Sequence, residues 1–496
     1  MRTVPDPTDR RGRRANLPSV LNTGVPRRLV VGGLLGTSLL AFGGIGAGAV
    51  PKIGRDAIAQ FLHLEWLQQH DSTYFLCTVL ALLGVALLLT SWWQLRGLLA
   101  SLQPRSLVLL AAIWSLPLLV APPLFSRDVY AYAGQGNLIV NHYDPYTYGP
   151  AAFSPTDRWS TRVDGEWRFT PSPYGPVWLW LSGRVVALSQ DHLVPALIML
   201  RLLAVAGLVL VAWGLPRLAR AHGVPPQRAL WLGLANPFVL IHGVGGAHND
   251  ALMIGLLIAG LAVAGISPSR RQLAFAAALI ATAALVKLPA VAALGFLPML
   301  RPTWRGRIAA AFLAGVTALA TGVVLTWATG LGYGWLHTLD AGSARLSIWS
   351  PTTGIGVAMG QLLRVIGLVD TPETVVHVVL AVALALGGIV ALVLLLRSHR
   401  NGPLRALGLS LVAVVALAPV VQPWYLLWGL VLLAAVGGER VTLALSALSV
   451  ALCLSLLPDG ASLLRPPLYG VPILLAVSIA ALEVRRATRR VLQPTA

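Results

Sequence analysis

Residues 73–95 read TYFLCTVLALLGVALLLTSWWQL and contain no charged side chain. About 20 apolar residues in a helix cross the hydrocarbon core of a bilayer, so this stretch predicts a transmembrane helix. Similar apolar runs recur along the 496-residue chain, which is 56% hydrophobic and only 11% charged, with a mean hydropathy of +0.74. Soluble proteins are about a quarter charged. The composition therefore excludes a soluble enzyme, a disordered protein and a secreted disulfide scaffold, and it predicts an all-α polytopic membrane protein.

The apolar runs predict about 14 membrane-spanning helices. They are centred on 29–50, 73–95, 106–125, 194–216, 228–242, 250–266, 273–287, 289–300, 307–328, 375–397, 404–420, 424–437, 441–457 and 470–484. Two further apolar stretches, 175–190 and 353–368, each contain an arginine. We predict that both are interfacial helices on the outer face, because counting either as a crossing would place the following arginine-rich loops outside.

The distribution of charge orients the chain. Lys and Arg total 37 against 18 acids, a net charge of +19. Most of the basic residues lie in segments that this topology makes cytoplasmic, which is the normal bias of membrane proteins. The bias predicts cytoplasmic termini, with a disordered basic tail at 1–28, a membrane domain at 29–484 and a second basic tail at 485–496. A cleavable signal sequence ending near Ala49 is the alternative for the first run, but the length of the run favours an anchor.

The basic residues do not indicate nucleic acid, because no cluster is interleaved with aromatic side chains. Membrane lipids are the partners that this composition implies. Cys77 and Cys453 both lie inside apolar spans, and their spacing suggests neither a disulfide framework nor a metal site.

The longest stretch outside the predicted spans is the loop 126–173, which we assign to the outer face and expect to be rigid because it is rich in proline, glycine and tyrosine. Asp128 lies where the preceding helix leaves the bilayer, so its carboxylate can meet a lipid headgroup and a water-soluble acceptor. The alternative is a helix-end residue paired with Arg127, although adjacent residues on a helix do not face each other. For Asp144, which precedes Pro145, a turn-forming role is favoured.

A second polar group, His242-Gly243-Val244-Gly245-Gly246-Ala247-His248-Asn249-Asp250, joins two predicted spans at the outer face. Glycines allow backbone N–H groups to turn toward an anion, and the histidines add further donors. A metal site is the rival interpretation, but no three-ligand spacing is present. The remaining alternative is a tight turn capped by Asn249 and Asp250.

Lys287 lies in the middle of an apolar run, immediately before the helix-breaking Leu288-Pro289. A lysine inside the membrane indicates function by default, and snorkelling to the interface is the alternative. Arg201, also within a span, is interpreted in the same way. Either cation is a candidate for contact with a buried lipid phosphate.

Two aromatic segments on the predicted outer face complete the candidates. Arg345 beside Trp349 suits a phosphate and the face of a sugar. Gln422, Trp424 and Tyr425 begin an outer helix. Interfacial aromatic residues usually form a belt at the headgroups, and this is the favoured interpretation for Trp424 and Tyr425.

Four of these stretches resemble one family. SRDVYAY at 126–132, DPY at 144–146, SPYGPVW at 172–178 and HGVGGAHND at 242–250 are similar to the actinobacterial polyprenol-phosphomannose-dependent α-(1→6)-mannosyltransferases, which are GT-C glycosyltransferases. The resemblance implies transfer of mannose from a polyprenyl monophosphate donor on the outer leaflet to a mannan acceptor, in the synthesis of lipomannan and lipoarabinomannan. It also implies that Asp128 is the essential aspartate at the start of the large outer loop. Many GT-C enzymes carry this residue after the first helix, whereas here it follows the third predicted span.

Transfer from a β-mannosyl phosphate to form an α bond is one in-line displacement, for which a single carboxylate suffices as general base on the acceptor 6-hydroxyl. The departing polyprenyl phosphate needs electrostatic stabilisation, and no metal or cofactor is expected because protein cations can supply it. The candidates for binding the donor phosphate are Arg345, Lys287, His242 and His248. The candidates for binding the substrates are Arg127, Tyr130, Tyr132, Gln135, Asp144, Tyr146, Tyr174, Asn249, Asp250, Trp349, Gln422 and Trp424.

Two other functions remain open from the sequence. A transferase for another polyprenyl-phosphate sugar has the same features, since the shape of the pocket selects the sugar. A lipid flippase or secondary transporter would use the break at Lys287-Leu288-Pro289 as a binding site.

Overall fold

The computed structural model describes residues 24–49, 55–338 and 350–461, which fold into helices and connecting turns without a β-strand. The α-helices of this part of the chain are α1 (Arg27–Ala47), α2 (Ala57–Phe61), α3 (Asp71–Leu95), α4 (Pro104–Leu119), α5 (Asp128–Val140), α6 (Arg158–Thr161), α7 (Gly165–Arg168), α8 (Pro176–Leu188), α9 (Leu193–Ala221), α10 (Pro226–Gly233), α11 (Pro237–Leu240), α12 (Asp250–Ala264), α13 (Arg270–Val286), α14 (Ala292–Phe296), α15 (Trp304–Thr329), α16 (Pro351–Val365), α17 (Pro372–Leu396), α18 (Ser398–Asn401), α19 (Pro403–Leu417), α20 (Leu427–Val436) and α21 (Glu439–Ser455).

Five of these helices are long and apolar enough to cross a membrane: α1, α3 with its extension to Leu98, α9, α15 and α17. A sixth candidate is the pair Pro237–Gly245 and Asp250–Ala264, which is bent by 117°. The prediction of an all-α polytopic membrane protein is therefore confirmed. The number of about 14 crossings stays a prediction, and both the run 470–484 and the tail 485–496 lie outside the described residues.

The predicted span 228–242 is not one continuous helix. Helix α10 ends at Gly233, and α11 begins at Pro237, which suits a first turn because proline has no N–H to leave unpaired. Asn236 caps α11 by accepting a hydrogen bond from the Phe238 N–H at 3.0 Å. A π-helical turn follows at Ile241–Gly245. Turns of this kind are frequent at functional sites, and this one leads directly into His248 and α12.

Glycines allow the long helices to pack backbone against backbone, as small residues commonly do in membranes. A Cβ placed on Gly207 of α9 would lie 2.2 Å from the Ala251 carbonyl oxygen of α12. A Cβ on Gly255 would lie 2.3 Å from the Gly207 carbonyl oxygen. This contact fixes the start of α12, and with it Asp250, against the middle of α9.

The predicted loop 126–173 begins with a helix. Residues 128–140 contain small and apolar residues and no proline, so they continue as α5 until Asn141. Helix α5 packs on α8 so closely that a Cβ on Gly136 would lie 2.5 Å from the Ser182 carbonyl oxygen. The predicted interfacial stretches 175–190 and 353–368 are helical, as α8 and α16. Their position at an interface stays a prediction.

Candidate active site

Asp128 and His248 lie together although they are far apart in the sequence. Asp128 Oδ2 is 3.3 Å from His248 Nδ1. The carboxylate is at the first residue of α5, where a helix N-terminus favours negative charge. The Asp128 N–H donates to Ser126 Oγ at 3.1 Å. The Asp128 side chain is 18% exposed and the His248 side chain 1%, so the carboxylate is the accessible member of the pair.

The surroundings of Asp128 keep it ionised. Burial raises the pKa of this carboxyl group. The contact with His248 and the nearby ammonium of Lys287 together outweigh burial, so the pKa lies below its ordinary value. Asp128 is therefore a carboxylate at neutral pH, which is the form a general base requires.

The backbone is strained shortly before each of the two residues, Asp128 and His248. Phe125, just before Ser126, has a φ of 62°, and Ala247, just before His248, has a φ of 52°. Non-glycine residues rarely adopt this region, and such conformations cluster at functional sites. Phe125 is held there by its N–H, which donates to the Pro458 carbonyl at 2.7 Å.

Three rings form a buried cluster behind Asp128. His248 stacks on Trp424 with ring centroids 3.8 Å apart and an interplanar angle of 19°. His242 lies 5.7 Å from His248 and 5.6 Å from Trp424. The prediction that Trp424 belongs to a headgroup belt is wrong, because it is 6% exposed and packs within this cluster. His242 and His248 are 1% and 0% exposed, so neither offers an open donor to a phosphate here, and that role stays a prediction.

Lys287 forms a buried ion pair with Asp250. Its ammonium group donates to both carboxylate oxygens of Asp250, at 2.9 and 2.8 Å, and the Asp250 side chain is 0% exposed. Trp428 donates to the same carboxylate from its indole N–H at 2.5 Å. The ammonium also lies over the rings of Tyr425, Trp428 and Tyr174, at 4.5, 5.7 and 5.8 Å. These contacts exclude a lysine that only snorkels to the interface, because its ammonium binds a buried carboxylate. They also exclude an aspartate that serves only as a helix cap, because its carboxylate accepts from Lys287 and Trp428.

Sequence reasoning did not single out Trp428. A signal was present, because Trp428 follows Tyr425 by three residues and Trp424 by four, and residues at those spacings share a helix face. The spacing predicts an aromatic face that can hold a cation, but only the structure identifies Lys287 as that cation.

Tyr132 connects α5 to the polar turn before α12. Its hydroxyl donates to Asn249 Oδ1 at 3.3 Å. Its ring contacts Tyr174 and Trp178 edge to face, with centroids 5.3 and 4.9 Å apart. Tyr132, Tyr174 and Asn249, all predicted to bind substrate, are therefore neighbours of Asp128 and Lys287.

Tyr130 points away from these residues. Its hydroxyl donates to Asp56 Oδ2 at 2.6 Å, and Asp56, which is 0% exposed, caps α2 through the Ile58 and Ala59 N–H groups. Sequence analysis did not identify Asp56. The contact ties the segment after α1 to α5, so Tyr130 has a structural role in the observed arrangement.

The other predicted residues of the loop lie around this centre. Arg127 pairs with Asp164 at 3.4 Å. Asp144 accepts from the Tyr146 N–H at 2.9 Å and from Thr147 Oγ1 at 2.7 Å, which confirms the turn-forming interpretation. Gln135 and the hydroxyl of Tyr146 are buried.

The remaining candidate side chains are two arginines, Arg201 and Arg345, the amide of Gln422 and the indole of Trp349. Arg201 is 1% exposed and donates to the backbone carbonyls of Leu119 and Gly245, at 2.7 and 3.3 Å, so it joins α4 to the π-helical turn. Gln422 is partly buried beside Trp424. Arg345 and Trp349 lie outside the described residues.

Fold and site together define a multi-pass membrane protein in which a partly exposed carboxylate, Asp128, begins one helix and a buried lysine, Lys287, ends another. Comparison with known proteins gives the family. Residues 30–302 match the model of the N-terminal domain of the alpha-(1->6)-mannopyranosyltransferases, and residues 352–486 match the MptB C-terminal domain. The chain belongs to the α-(1→6)-mannopyranosyltransferase family, as its sequence motifs indicated.

Similar proteins come from mycobacteria and corynebacteria. A probable alpha-(1->6)-mannopyranosyltransferase of Mycolicibacterium smegmatis is 37% identical over 82% of this chain and 79% of its own length. An alpha-(1->6)-mannopyranosyltransferase of Mycobacterium tuberculosis is 34% identical over 84% of this chain and 80% of its own. Alpha-(1->6)-mannopyranosyltransferase B of Corynebacterium glutamicum is 30% identical over 87% and 77%. No solved structure matches the chain.

Proposed function

We propose that this protein transfers mannose from polyprenyl-phosphate mannose to the 6-hydroxyl of a mannan acceptor, forming an α-(1→6) bond with inversion in the synthesis of lipomannan and lipoarabinomannan. Family membership supports the mannosyl transfer and the α-1,6 linkage. The observation that carries the mechanism is the accessible, ionised carboxylate of Asp128 beside His248 and Lys287.

The chemistry is a single displacement. Asp128 takes the proton of the acceptor 6-hydroxyl as the hydroxyl oxygen bonds to the anomeric carbon of the donor. The bond from that carbon to the phosphate oxygen breaks, and its electron pair leaves with the polyprenyl phosphate. A positioned base of this kind contributes about 10²–10⁴ in rate. The leaving group is a weak base and needs positive charge more than a proton.

Lys287 is our candidate for that charge among the described residues. Its side chain is 11% exposed, and its charge acts on Asp128, so it belongs to the same site. Asp250 and the rings of Tyr174, Tyr425 and Trp428 hold the ammonium in place. The rings also offer apolar faces of the kind that sugars pack against. Arg345 stays a second candidate.

For the location of the reaction, we infer that helices α5 to α8 face the outside of the cell membrane and that both chain termini are cytoplasmic. The basic residues between the predicted spans support this orientation. It brings Asp128 to the leaflet in which the proposed lipid donor presents its mannose.

The test is a transfer assay with purified protein, polyprenyl-phosphate mannose and a short α-(1→6) mannan acceptor, with the product linkage identified by NMR. We expect α-(1→6) product from the unmodified protein and a loss of at least about 10²-fold in Asp128→Asn. Asp191→Asn is the matched control, since that aspartate is exposed and lies just after α8. Near-normal transfer by folded Asp128→Asn refutes the assigned base, and a different linkage refutes the proposed reaction.

A further inference from the structure

We infer that His248 is a positioning residue for Asp128. Its imidazole contacts the carboxylate from the buried side and fixes the orientation of that carboxylate. Trp424 packs against the ring, and Gly246, which has no side chain, leaves room for it. The inference deepens the proposed function and depends on Asp128 being the base. It differs from a direct role of His248 at the donor phosphate, because it assigns the imidazole to the carboxylate.

Contact and burial carry the first step. His248 Nδ1 is 3.3 Å from Asp128 Oδ2, and the imidazole is almost fully buried whereas the carboxylate is partly open. A substrate hydroxyl arriving from outside thus meets Asp128 before it meets the ring. Asp128 is the one side chain of the described residues that lies within ion-pair distance of the ring.

The ring has little freedom to turn. Trp424 lies flat against one face, at 3.8 Å between centroids. At one edge, a Cβ added to Gly246 would lie 2.8 Å from His248 Nε2 and 2.9 Å from its Cδ2. Glycine at position 246 has no Cβ, and the His248 ring therefore fits in the space that a Cβ would take. The strained φ of 52° at the preceding Ala247 is a further sign that the chain is constrained to place His248 here.

A role of His248 at the carboxylate changes the pH dependence of the reaction, whereas a role in packing alone does not. His248 is among the groups that lower the pKa of Asp128, against the effect of burial. Without His248 the pKa of Asp128 rises, so the carboxylate becomes protonated at a higher pH and the acid limb of kcat/KM moves upward. Among the described residues, the other titratable groups around Asp128 and His248 include His242, Asp250, Lys287, Tyr132, Tyr174 and Tyr425, and a substitution at His248 removes none of them.

The experiment measures kcat/KM against pH for His248→Phe and His248→Asn in the transfer assay. Phenylalanine keeps a ring on Trp424 and removes the nitrogen that contacts Asp128, and we expect a loss of about 10- to 100-fold with the acid limb moved to higher pH. Asparagine returns an N–H near the position of Nδ1 and should recover part of the loss. An unchanged acid limb in His248→Phe overturns the inference, as does the failure of His248→Asn to exceed His248→Phe.

A second pair of variants reaches the ring without replacing it. Gly246→Ala should displace His248 and reproduce the shift of the acid limb. Gly387→Ala is the matched control, because this buried glycine lies on α17, outside the site, and its Cβ would make only an ordinary contact with the Leu417 side chain, at 3.5 Å, so the profile should be unchanged. A normal profile in folded Gly246→Ala contradicts the inference. If Asp128→Asn is inactive while these variants behave as the unmodified protein does, only the role of His248 is rejected, whereas an active Asp128→Asn rejects the base itself.

Discussion

The ion pair between Lys287 and Asp250 makes a quantitative prediction. At 2.8 Å and an effective dielectric constant of about 20, the attraction is about 6 kcal/mol before the loss of hydration is subtracted. Removal of one partner from a buried pair costs about 3–5 kcal/mol, because the other charge is left in an apolar environment. Asp250 is 0% exposed, so Lys287→Met leaves its carboxylate with the Trp428 indole as its remaining donor among the contacts described. We expect this variant to lose about 3–5 kcal/mol of unfolding free energy.

The double variant Lys287→Met/Asp250→Asn distinguishes a buried charge pair from ordinary packing. It removes both charges and keeps an amide oxygen for the Trp428 N–H. We expect it to be more stable than the sum of the single losses by about 0.5–3 kcal/mol, the usual coupling of residues in contact. The free energy of unfolding is measured by SDS titration in mixed micelles, followed by tryptophan fluorescence. The four proteins compared are the unmodified protein, Lys287→Met, Asp250→Asn and the double variant.

The double variant also separates stability from catalysis. If Lys287 stabilises the departing phosphate, the double variant stays inactive even where its stability recovers. Strictly additive losses of stability refute the buried pair, and substantial transfer by the double variant refutes the catalytic role of Lys287.

Two further predictions concern the membrane. Helix α9 is about 43 Å long at 1.5 Å per residue, so Asp191 and Arg220, at its two ends, lie on opposite sides of the bilayer. An impermeant maleimide should label Asp191→Cys in intact cells and Arg220→Cys only after permeabilisation, since Cys77 and Cys453 are buried, and the reverse pattern would overturn the proposed orientation. Gly207→Leu should separate α9 from α12, lowering the thermal unfolding temperature in detergent and abolishing transfer, and an unaltered protein would contradict the close helix contact.

The sequence predicted the class of protein and named several residues of the candidate site. A run such as 73–95 without charge can be stable only in lipid or a protein core, and its repetition made a polytopic protein the consistent interpretation. Asp128 and Lys287 were identified because an ionisable residue at or inside a membrane segment is expensive to keep. The glycines and histidines of 242–250 were identified from their density between two apolar runs.

Partners were beyond the reach of the sequence. The one partner that it suggested for Asp128 was Arg127, although adjacent helix residues do not face each other, and the structure pairs Arg127 with Asp164 and places His248 beside Asp128. It treated Lys287 and Asp250 as separate features, although they form one ion pair.

The position of Trp424 shows the same difference. An aromatic residue at a helix start fits a headgroup belt as well as a site, and nothing local distinguishes the two. Hydropathy and residue type are local properties, so the chain alone determined that this is a polytopic membrane protein and which polar residues are out of place in its apolar segments. The contacts of those residues depend on where α5, α9 and α12 approach one another and where the chain breaks between α10 and α12. Only the tertiary structure decided those distances, because packing between segments remote in sequence sets them.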